Sequence, residues 1–250
     1  MTVKTRIKKL GQSRYVAGRS IFYALKQTWL FAKFFFDSSY RSLVLGKMRF
    51  GKHYHQRPTF TTMNRYPLLF KECANYLSEV PNPEILSFGC STGEEVFSIG
   101  QLIPQAHILG VDINPWCIRQ AKKKTSNPNY SFMHRLAKEF VSSDGFDAIF
   151  CLAVFQRTEN RTNENNAVAD GFLFNQFESE IKILDEKLKP GGLMIIDNAD
   201  FRFTDTTVSG KYTPLKSFEQ NQIIRNRPVF DRNNQKISEK NNAYRIFVKG

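Results

Sequence analysis

Apolar positions from Glu84 to Asp197 alternate between short strand-like runs and longer helical repeats. The short runs predict strands, because they are brief and rich in β-branched and aromatic residues. Strands are predicted at 84–88, 107–113, 130–134, 146–154 and 193–197, and helices at 94–103, 115–124 and 171–188. Strands that alternate with helices along a chain form a parallel sheet covered by helices on both faces.

The hydrophobic pattern changes after residue 197. Residues 201–222 are polar with few apolar runs, whereas 223–230 and 243–248 predict two strands joined by the polar hairpin 231–242. We therefore expect an α/β fold with a seven-stranded mixed sheet, in which an antiparallel hairpin finishes the parallel part.

A helical and strongly aromatic pattern covers residues 15–36. Arg19, Lys26 and Lys33 are seven residues apart, so they share one face of the predicted helix. A transmembrane span is not expected, because it needs about 18 or more consecutive apolar residues. Basic residues beside Trp and Phe are typical of a helix that lies at a membrane surface, and packing onto the main domain is the alternative.

The N-terminal module ends at a proline-rich junction. Residues 37–60 look irregular and basic, a helical pattern covers 68–77, and Pro81-Asn82-Pro83 then ends it. The chain thus divides into a basic, aromatic-rich helical N-terminal module, residues 1–80, and an α/β domain, residues 81–250.

Positive charge is concentrated at the N-terminal end of the chain. Residues 1–60 contain thirteen Lys and Arg and one acid, Asp37, so they carry +12 of the formal net charge of +13. Such asymmetry indicates an acidic partner, which is an anionic membrane surface, a nucleic acid or an acidic protein. A solvated basic face without a partner is the alternative.

Neither the cysteines nor the histidines predict a metal site. No CxxC pair occurs among the four cysteines, which are Cys73, Cys90, Cys117 and Cys151. His53 and His55 have no further ligands at suitable positions. Scattered cysteines and the absence of a secretory signal pattern lead us to expect a cytoplasmic protein, with peripheral membrane contact as an open variant.

The first predicted strand runs directly into a turn of small residues, Gly89-Cys90-Ser91-Thr92-Gly93. Glu94 and Glu95 then open a helix. Glycine lets a backbone approach a ligand closely, and a helix N-terminus offers free N–H groups. Strand, small-residue turn and helix in this order predict a nucleotide-type cofactor held on the turn.

Asp112 ends the second predicted strand, 19 residues after Gly93. Ligands of open α/β sheets bind outside the carboxyl ends of the strands, where an acid can accept both hydroxyls of a ribose. The segment 151–154 after the fourth strand lines the same crevice. The G-x-G-x-x-G fingerprint and a P-loop lysine are both absent, which favours S-adenosylmethionine over NAD or ATP.

Three segments resemble the class I S-adenosylmethionine-dependent methyltransferases, whose sheet is Rossmann-like. They are the stretch Gly89–Glu95, the strand Phe146-Asp147-Ala148-Ile149-Phe150-Cys151 and the turn Leu188-Lys189-Pro190-Gly191-Gly192. The first two are most similar to the chemotaxis-receptor glutamate (CheR-type) methyltransferases. This resemblance implies that Glu95 helps to hold the methionyl end of the cofactor.

The segment Thr61-Thr62-Met63-Asn64-Arg65-Tyr66-Pro67 also resembles that family, with its Thr and Arg on Thr61 and Arg65. The resemblance implies that Arg65 pairs with the cofactor carboxylate, a task that suits a planar guanidinium. Two pairs of residues depart from the family. Leu152-Ala153 stands where the family has Arg-Asn, and Val96-Phe97 where it has Pro-Tyr.

The candidate cofactor-binding residues follow from these motifs and their flanks. They are Thr61, Arg65, Gly89, Cys90, Ser91, Thr92, Gly93, Glu95, Asp112, Ile113, Cys151 and Leu152. No catalytic residue is assigned, and His134 and Tyr66 are candidate bases by position only. A carboxylate acceptor needs no base, because the ordinary Glu pKa is about 4.3.

We therefore expect transfer of a methyl group to a carboxylate, or to another oxygen or nitrogen acceptor, on a protein or a small molecule. A non-catalytic cofactor-binding protein on the same fold is one alternative, which Leu152-Ala153 motivates. A nucleic-acid methyltransferase is the other, and it is disfavoured because no Asn/Asp-Pro-Pro-Tyr motif follows the fourth strand.

Overall fold

The computed structural model describes residues 16–51, 59–136, 145–157, 160, 167–168, 172–218, 228–237 and 244–250 of the chain. The two histidines of the predicted irregular segment, His53 and His55, lie outside these residues. Contacts between Cα atoms divide the chain into two compact units, Met1–Arg49 and Phe50–Gly250. Among the described residues, none of the helices combines the length and the apolar character needed to cross a bilayer.

The described helices and strands follow the chain in this order. The helices are α1 (Val16–Phe36), α2 (Ser38–Phe50), α3 (Pro67–Tyr76), α4 (Glu94–Leu102), α5 (Pro115–Lys123) and α6 (Phe174–Lys187). The strands are β1 (Glu84–Phe88), β2 (His107–Asp112), β3 (Tyr130–His134), β4 (Phe146–Leu152), β5 (Leu188–Asp197), β6 (Tyr212–Ser217), β7 (Val229–Phe230), β8 (Lys236–Ile237) and β9 (Tyr244–Lys249).

The first unit contains a helix that the sequence analysis did not predict. Residues 37–60 were expected to be irregular, which is wrong for α2. The Asp37 carboxylate accepts a hydrogen bond of 3.0 Å from the Tyr40 backbone N–H and so caps the start of α2. Arg41 donates to the carbonyl oxygen of Phe35, at 2.8 Å, and thereby caps the end of α1. These caps are side-chain contacts, which the hydrophobic pattern does not reveal.

Helix α3 belongs to the second unit, although the predicted boundary lies after residue 80. Its residues Leu69, Phe70 and Cys73 are buried in one of the two apolar clusters of that unit. The observed division between the units therefore falls earlier than the predicted one. Burial of an apolar face against the sheet is what assigns a helix to a core.

A seven-stranded mixed sheet forms the centre of the second unit, as predicted. Its strand order is β3-β2-β1-β4-β5-β9-β6. Strands β1 to β5 pair in parallel, and β9 runs antiparallel to both β5 and β6. The order reverses at β1 and β4, so the crevice of the sheet opens between their carboxyl ends.

The C-terminal part of the sheet differs from the prediction. Strand β6 lies within residues 201–222, which were expected to contain no strand. The prediction missed it because an edge strand can be polar and can contain a proline, here Pro214. Residues 223–227 of the predicted strand 223–230 lie outside the residues that the structure describes. The remaining β7 pairs with β8 in a separate two-stranded sheet, so the predicted hairpin does not complete the main sheet.

Apolar side chains of the parallel strands point alternately to the two faces of the sheet. In β1, Ile85 belongs to the cluster under α3 and α4, and Leu86 belongs to the cluster under α6. Phe150 and Ile149 of β4 divide in the same way. Because helices cover both faces, the carboxyl edge of the strands is where a ligand can reach the sheet.

Asp185 ties α6 to the antiparallel edge of the sheet. Its carboxylate lies 2.8 Å from Lys211 Nζ and 3.2 Å from Lys249 Nζ, and it accepts a 2.8 Å hydrogen bond from the Tyr212 hydroxyl. Burial would raise the pKa of Asp185, but the hydrogen bonds from Lys211, Tyr212 and Lys249 hold it below its ordinary value.

We predict that Asp185→Asn lowers the free energy of unfolding by about 2–4 kcal/mol, because it leaves the buried part of a charge cluster uncompensated. Urea unfolding measures this loss. Glu72→Gln is the control, since its partner Lys216 is half exposed and a surface pair contributes about 0–1 kcal/mol. Equal losses for the two variants would contradict the role of Asp185.

Candidate cofactor site

The small-residue turn after β1 is fixed to the end of β2. The backbone N–H groups of Gly89 and Cys90 donate to the Val111 carbonyl oxygen at 2.8 and 3.0 Å. Gly89 has φ of +88°, and a Cβ atom there would lie 2.7 Å from Val154 Cγ2. The turn therefore needs glycine for its conformation and for its close packing on the segment that follows β4.

Asp112 joins the turn to the start of α5. Its Oδ2 accepts a hydrogen bond of 2.9 Å from the Ser91 N–H, and its Oδ1 accepts one of 2.7 Å from the Asn114 N–H. Burial raises the pKa of Asp112 to about 6, and the hydrogen bonds from Asn114 and Ser91 oppose this rise. Each carboxylate oxygen can still accept a second hydrogen bond, as a ribose hydroxyl would require.

Glu95 lies in the first turn of α4, behind the small-residue turn. Its Oε1 accepts a hydrogen bond of 2.7 Å from the Ser87 hydroxyl. Burial raises the pKa of Glu95 to about 7, while the Ser87 hydrogen bond and the charge of Arg65 oppose the rise. This acid is therefore ready to ionise near neutral pH when a cation lies beside it.

Residues 59–66, which we name the strap, cross over the turn. The Ser91 hydroxyl donates to the Thr59 carbonyl oxygen at 2.8 Å, and the Asn64 N–H donates to Ser98 Oγ of α4 at 2.8 Å. Asn64 has φ of +53°, in the left-handed region, and so turns the chain towards α3. These bonds hold one end of the strap against the turn and the other against α4.

Arg65 lies between two aromatic rings of the strap. Its guanidinium carbon is 5.8 Å from the centre of the Phe60 ring and 5.2 Å from that of Tyr66. Such cation–π contacts orient a guanidinium while they leave its N–H groups available. Arg65 also donates a long hydrogen bond of 3.4 Å to the Phe60 carbonyl oxygen.

Tyr66 connects the strap with the end of β5. Its hydroxyl accepts a hydrogen bond of 2.9 Å from Asn198 Nδ2, and that nitrogen also lies 3.1 Å from Asp197 Oδ2. Burial raises the pKa of Tyr66 to about 12, although the charge of Arg65 opposes this. The phenol is therefore protonated at neutral pH and can donate a hydrogen bond.

One cleft is lined by the strap, the turn, α3, α4 and the end of β4. Its lining residues are Thr61, Thr62, Arg65, Tyr66, Phe70, Gly89, Cys90, Ser91, Glu95 and Leu152. The cation Arg65 and the half-buried acid Glu95 thus lie in the same cleft, beside a glycine turn and the apolar side chains of Phe70 and Leu152. Such a cleft can hold a ligand that has both a zwitterionic end and an apolar part.

Seven of the predicted cofactor residues line this cleft, namely Thr61, Arg65, Gly89, Cys90, Ser91, Glu95 and Leu152. Asp112 is one hydrogen bond away, through Ser91. Thr62 and Phe70 also line the cleft and were not predicted, although Thr62 follows Thr61 directly and Phe70 lies on α3, five residues after Arg65. Their position next to a predicted ligand residue was the signal available.

Four predicted residues lie outside the cleft lining. Gly93 ends the turn, and the Thr92 hydroxyl donates to Glu94 at 2.7 Å. The Ile113 carbonyl oxygen lies 2.9 Å from His134 Nε2, so this histidine, a candidate base by position, holds the end of β2. Cys151 is buried in the cluster on the α6 face of the sheet. Strand alternation puts Leu152 on the cleft side and Cys151 on the other.

A family model described as a methyltransferase domain matches residues 80–250. The chain belongs to this methyltransferase-domain family. Membership confirms the methyltransferase domain that the sequence predicts, and it supports S-adenosylmethionine as the cofactor. The family model does not distinguish the predicted CheR-type group from other methyltransferases.

Individual relatives of this methyltransferase-domain chain are distant. A trans-aconitate 2-methyltransferase of Afipia carboxidovorans is 28% identical over 98 residues, which is 38% of each chain. A probable thiol methyltransferase 2 of Arabidopsis thaliana is 28% identical over 125 residues, 46% of each chain. The chain thus spans less than half the length of both relatives. A structure of the plantazolicin methyltransferase BpumL in complex with SAH matches with 19% identity and a TM-score of 0.41, over 77% of this chain and 60% of that one.

The raised pKa of Glu95 predicts a stability effect without ligand. A raised acid pKa means that the folded chain holds the proton more tightly, so this stabilisation is complete at low pH and is lost as the pH rises through about 7. Glu95→Gln removes the loss. The free energy of unfolding of the variant, measured in urea relative to that of the wild type, should therefore rise by about 2–3 kcal/mol from pH 5 to pH 8.

Glu94 is the matched control in the same turn of α4. Burial alone would raise the pKa of Glu94, but hydrogen bonds from Lys124 and Thr92 outweigh it and lower the pKa. Its stabilisation is present above the ordinary pKa and is lost as the pH falls. Glu94→Gln should therefore show no gain in the free energy of unfolding, relative to the wild type, at pH 8. An equal gain for both variants would contradict the claim that burial raises the pKa of Glu95.

Proposed function

We propose that the chain is an S-adenosylmethionine-dependent methyltransferase whose cofactor lies between the strap and the turn Gly89–Gly93. The observation that carries this proposal is the joint presence of Arg65 and Glu95 in one cleft, beside a glycine turn that Asp112 supports. Membership in the methyltransferase-domain family gives the reaction class. The residues assigned to each part of the cofactor are our proposal.

The adenosine part fits the side of the cleft formed by the turn, which Asp112 supports through Ser91. The absence of a Cβ at Gly89 keeps the backbone close to Val154, where a side chain would collide. Asp112 is half-buried and keeps acceptor capacity beyond its two backbone hydrogen bonds. We assign the ribose hydroxyls to Asp112 and, next to it, contacts of the base to the backbone at Ile113.

The methionyl part fits the charged pair at the other side of the cleft. An α-carboxylate is a partner for the Arg65 guanidinium, and an α-ammonium is a partner for ionised Glu95. Binding a cation would return the pKa of Glu95 towards its ordinary value, because an opposite charge favours the ionised acid. Thr61 and Leu152 complete the lining on this side.

S-adenosylmethionine supplies a methyl group that is activated by a sulfonium. The chain has to hold the acceptor near this group and to exclude water, since orientation accounts for much of such catalysis. The Tyr66 hydroxyl, fixed by Asn198, is suited to orient an acceptor as a hydrogen-bond donor. With its pKa raised to about 12 by burial, Tyr66 does not serve as a base near neutral pH.

An acceptor that is already ionised needs no base, so we propose a carboxylate on a small molecule or a protein, before other oxygen or nitrogen acceptors. One relative is named for the carboxylic acid trans-aconitate and another for a thiol. The CheR-like character that we propose depends on the Thr61–Arg65, Gly89–Glu95 and Phe146–Cys151 segments. We propose no nucleic-acid acceptor, because Leu152–Phe155 lacks the amino-methylating motif.

A non-catalytic cofactor-binding protein is the second candidate, since apolar Leu152 and Ala153 replace polar residues of the CheR-type pattern. Transfer of labelled methyl groups from the cofactor to any component of a lysate would exclude it. The setting that we propose is the cytoplasm, with residues 1–60 directed to an anionic membrane or another acidic partner.

Asp112→Ala should weaken binding of both S-adenosylhomocysteine and methylthioadenosine by about ten- to a hundredfold. Both ligands contain the ribose, and the variant also removes the acceptor of the Ser91 N–H. Isothermal titration measures both affinities. Glu72→Ala, at a surface ion pair, is the control. Unchanged affinities for the Asp112 variant would remove this acid from the site.

Arg65→Met should weaken binding of S-adenosylhomocysteine by about tenfold or more, because a charged hydrogen bond is lost. Methylthioadenosine lacks the amino-acid end, so its affinity should stay within about threefold. Arg65→Lys should recover part of the loss, because it keeps the charge without the planar fork. Parallel loss of both ligands would instead assign Arg65 to holding the strap in place.

A further inference from the structure

Helix α1 carries an exposed apolar stripe. Ile21, Leu25, Trp29 and Phe36 follow one another at helical spacing on one face, with exposed fractions of 53%, 45%, 60% and 91%. From Ile21 to Phe36 they span 16 residues, or about 22 Å of helix. Exposed apolar patches of this extent mark binding surfaces more often than chance.

Two further rings widen the stripe. Phe31 and Phe35 lie beside it with exposed fractions of 69% and 56%, and their ring centres are 4.8 Å apart. On α2, Leu45 and Met48 are also exposed. The apolar surface is therefore broad and rich in aromatic rings, whereas a helix that fills a protein groove usually presents a narrow row of anchors.

Positive charge accompanies the stripe along its length. Arg19, Lys26 and Lys33 recur every seven residues, and α1 contains no acidic residue. The Lys33 ammonium lies 5.2 Å from the centre of the Trp29 ring, so charge and stripe meet. The surrounding residues 1–60 carry thirteen basic residues against one acid.

We propose that α1, together with α2, binds the surface of an anionic lipid bilayer. Trp and Phe side chains are favoured at the boundary between headgroups and acyl chains. Lys and Arg beside them are attracted to anionic lipid headgroups. An acidic protein would account for the charges, but it would leave a broad exposed aromatic face without a partner. This proposal does not depend on the methyltransferase activity.

The test uses the full chain and vesicles of phosphatidylcholine with and without phosphatidylserine, in a co-sedimentation assay. The wild type should bind the vesicles that contain phosphatidylserine and should lose binding as salt is added, because screening weakens the attraction. Trp29→Ser with Phe36→Ser, and separately Arg19→Glu with Lys26→Glu, should each reduce binding by about tenfold or more.

Matched controls lie on the second unit. Lys122 and Lys123 are exposed on α5, so Lys122→Glu with Lys123→Glu makes the same change in net charge. Leu102 and Ile183 have exposed fractions of 47% and 46%, so Leu102→Ser with Ile183→Ser matches the apolar change. Both controls should leave vesicle binding within about twofold. Circular dichroism checks that all four variants are folded.

The fluorescence of Trp29 gives a second measurement, which reports contact with lipid directly and does not depend on a variant that binds less. Quenching of tryptophan fluorescence by brominated lipid should occur in the wild type and should fall in Trp29→Phe, which keeps an aromatic ring. Three outcomes would overturn the proposal. They are absence of binding by folded wild type, equal loss of binding in the α5 control, and binding to polyglutamate but not to phosphatidylserine vesicles.

Discussion

The Asp112 carboxylate is the constraint on which the candidate site depends. Removing an acid from water is costly unless hydrogen bonds satisfy it, and the half-buried Asp112 accepts them from the Ser91 and Asn114 backbone N–H groups at 2.9 and 2.7 Å. Together with the bonds from Gly89 and Cys90 to Val111, they fix the turn on β2. The fixed turn positions Ser91, whose hydroxyl donates a hydrogen bond to the Thr59 carbonyl oxygen of the strap.

A second constraint is the balance of charge in the cleft. Glu95 is half-buried at the start of α4, and the charge of Arg65 opposes the rise of its pKa that burial causes. Among the residues that the structure describes, neither Arg65 nor Glu95 forms a direct ion pair, so this pair of charges complements a zwitterionic ligand. The methyltransferase-domain family, the glycine turn and the charges of Arg65 and Glu95 all favour S-adenosylmethionine, whose methionyl end is a zwitterion.

The fold was largely predictable because the strands in the middle of a parallel sheet have distinct apolar runs. The bounds of β1 and β3 agree with the prediction, and the seven-stranded sheet is confirmed. Polar β6 was missed because an edge strand can tolerate polar side chains, and α2 was missed because its start depends on the Asp37 cap. Strand β5 begins at Leu188 rather than at 193, since an irregularity in its pairing with β4 admits Lys189–Gly192.

The site was predictable where residues are neighbours in the sequence and less so where the fold brings them together. Arg65, Glu95 and the turn were found from motifs, and they share the cleft. The contact of Tyr66 with Asn198 joins residues 132 positions apart, which no local pattern indicates. The side of the sheet on which Cys151 lies depended on the register of β4, which the sequence did not determine.

Isothermal titration of the full chain with S-adenosylhomocysteine tests the central claim most directly. A cleft that holds Arg65, Glu95 and the turn supported by Asp112 should bind one molecule per chain with micromolar affinity or better. Absence of measurable heat and of any thermal stabilisation, in protein shown to be folded, would contradict the account.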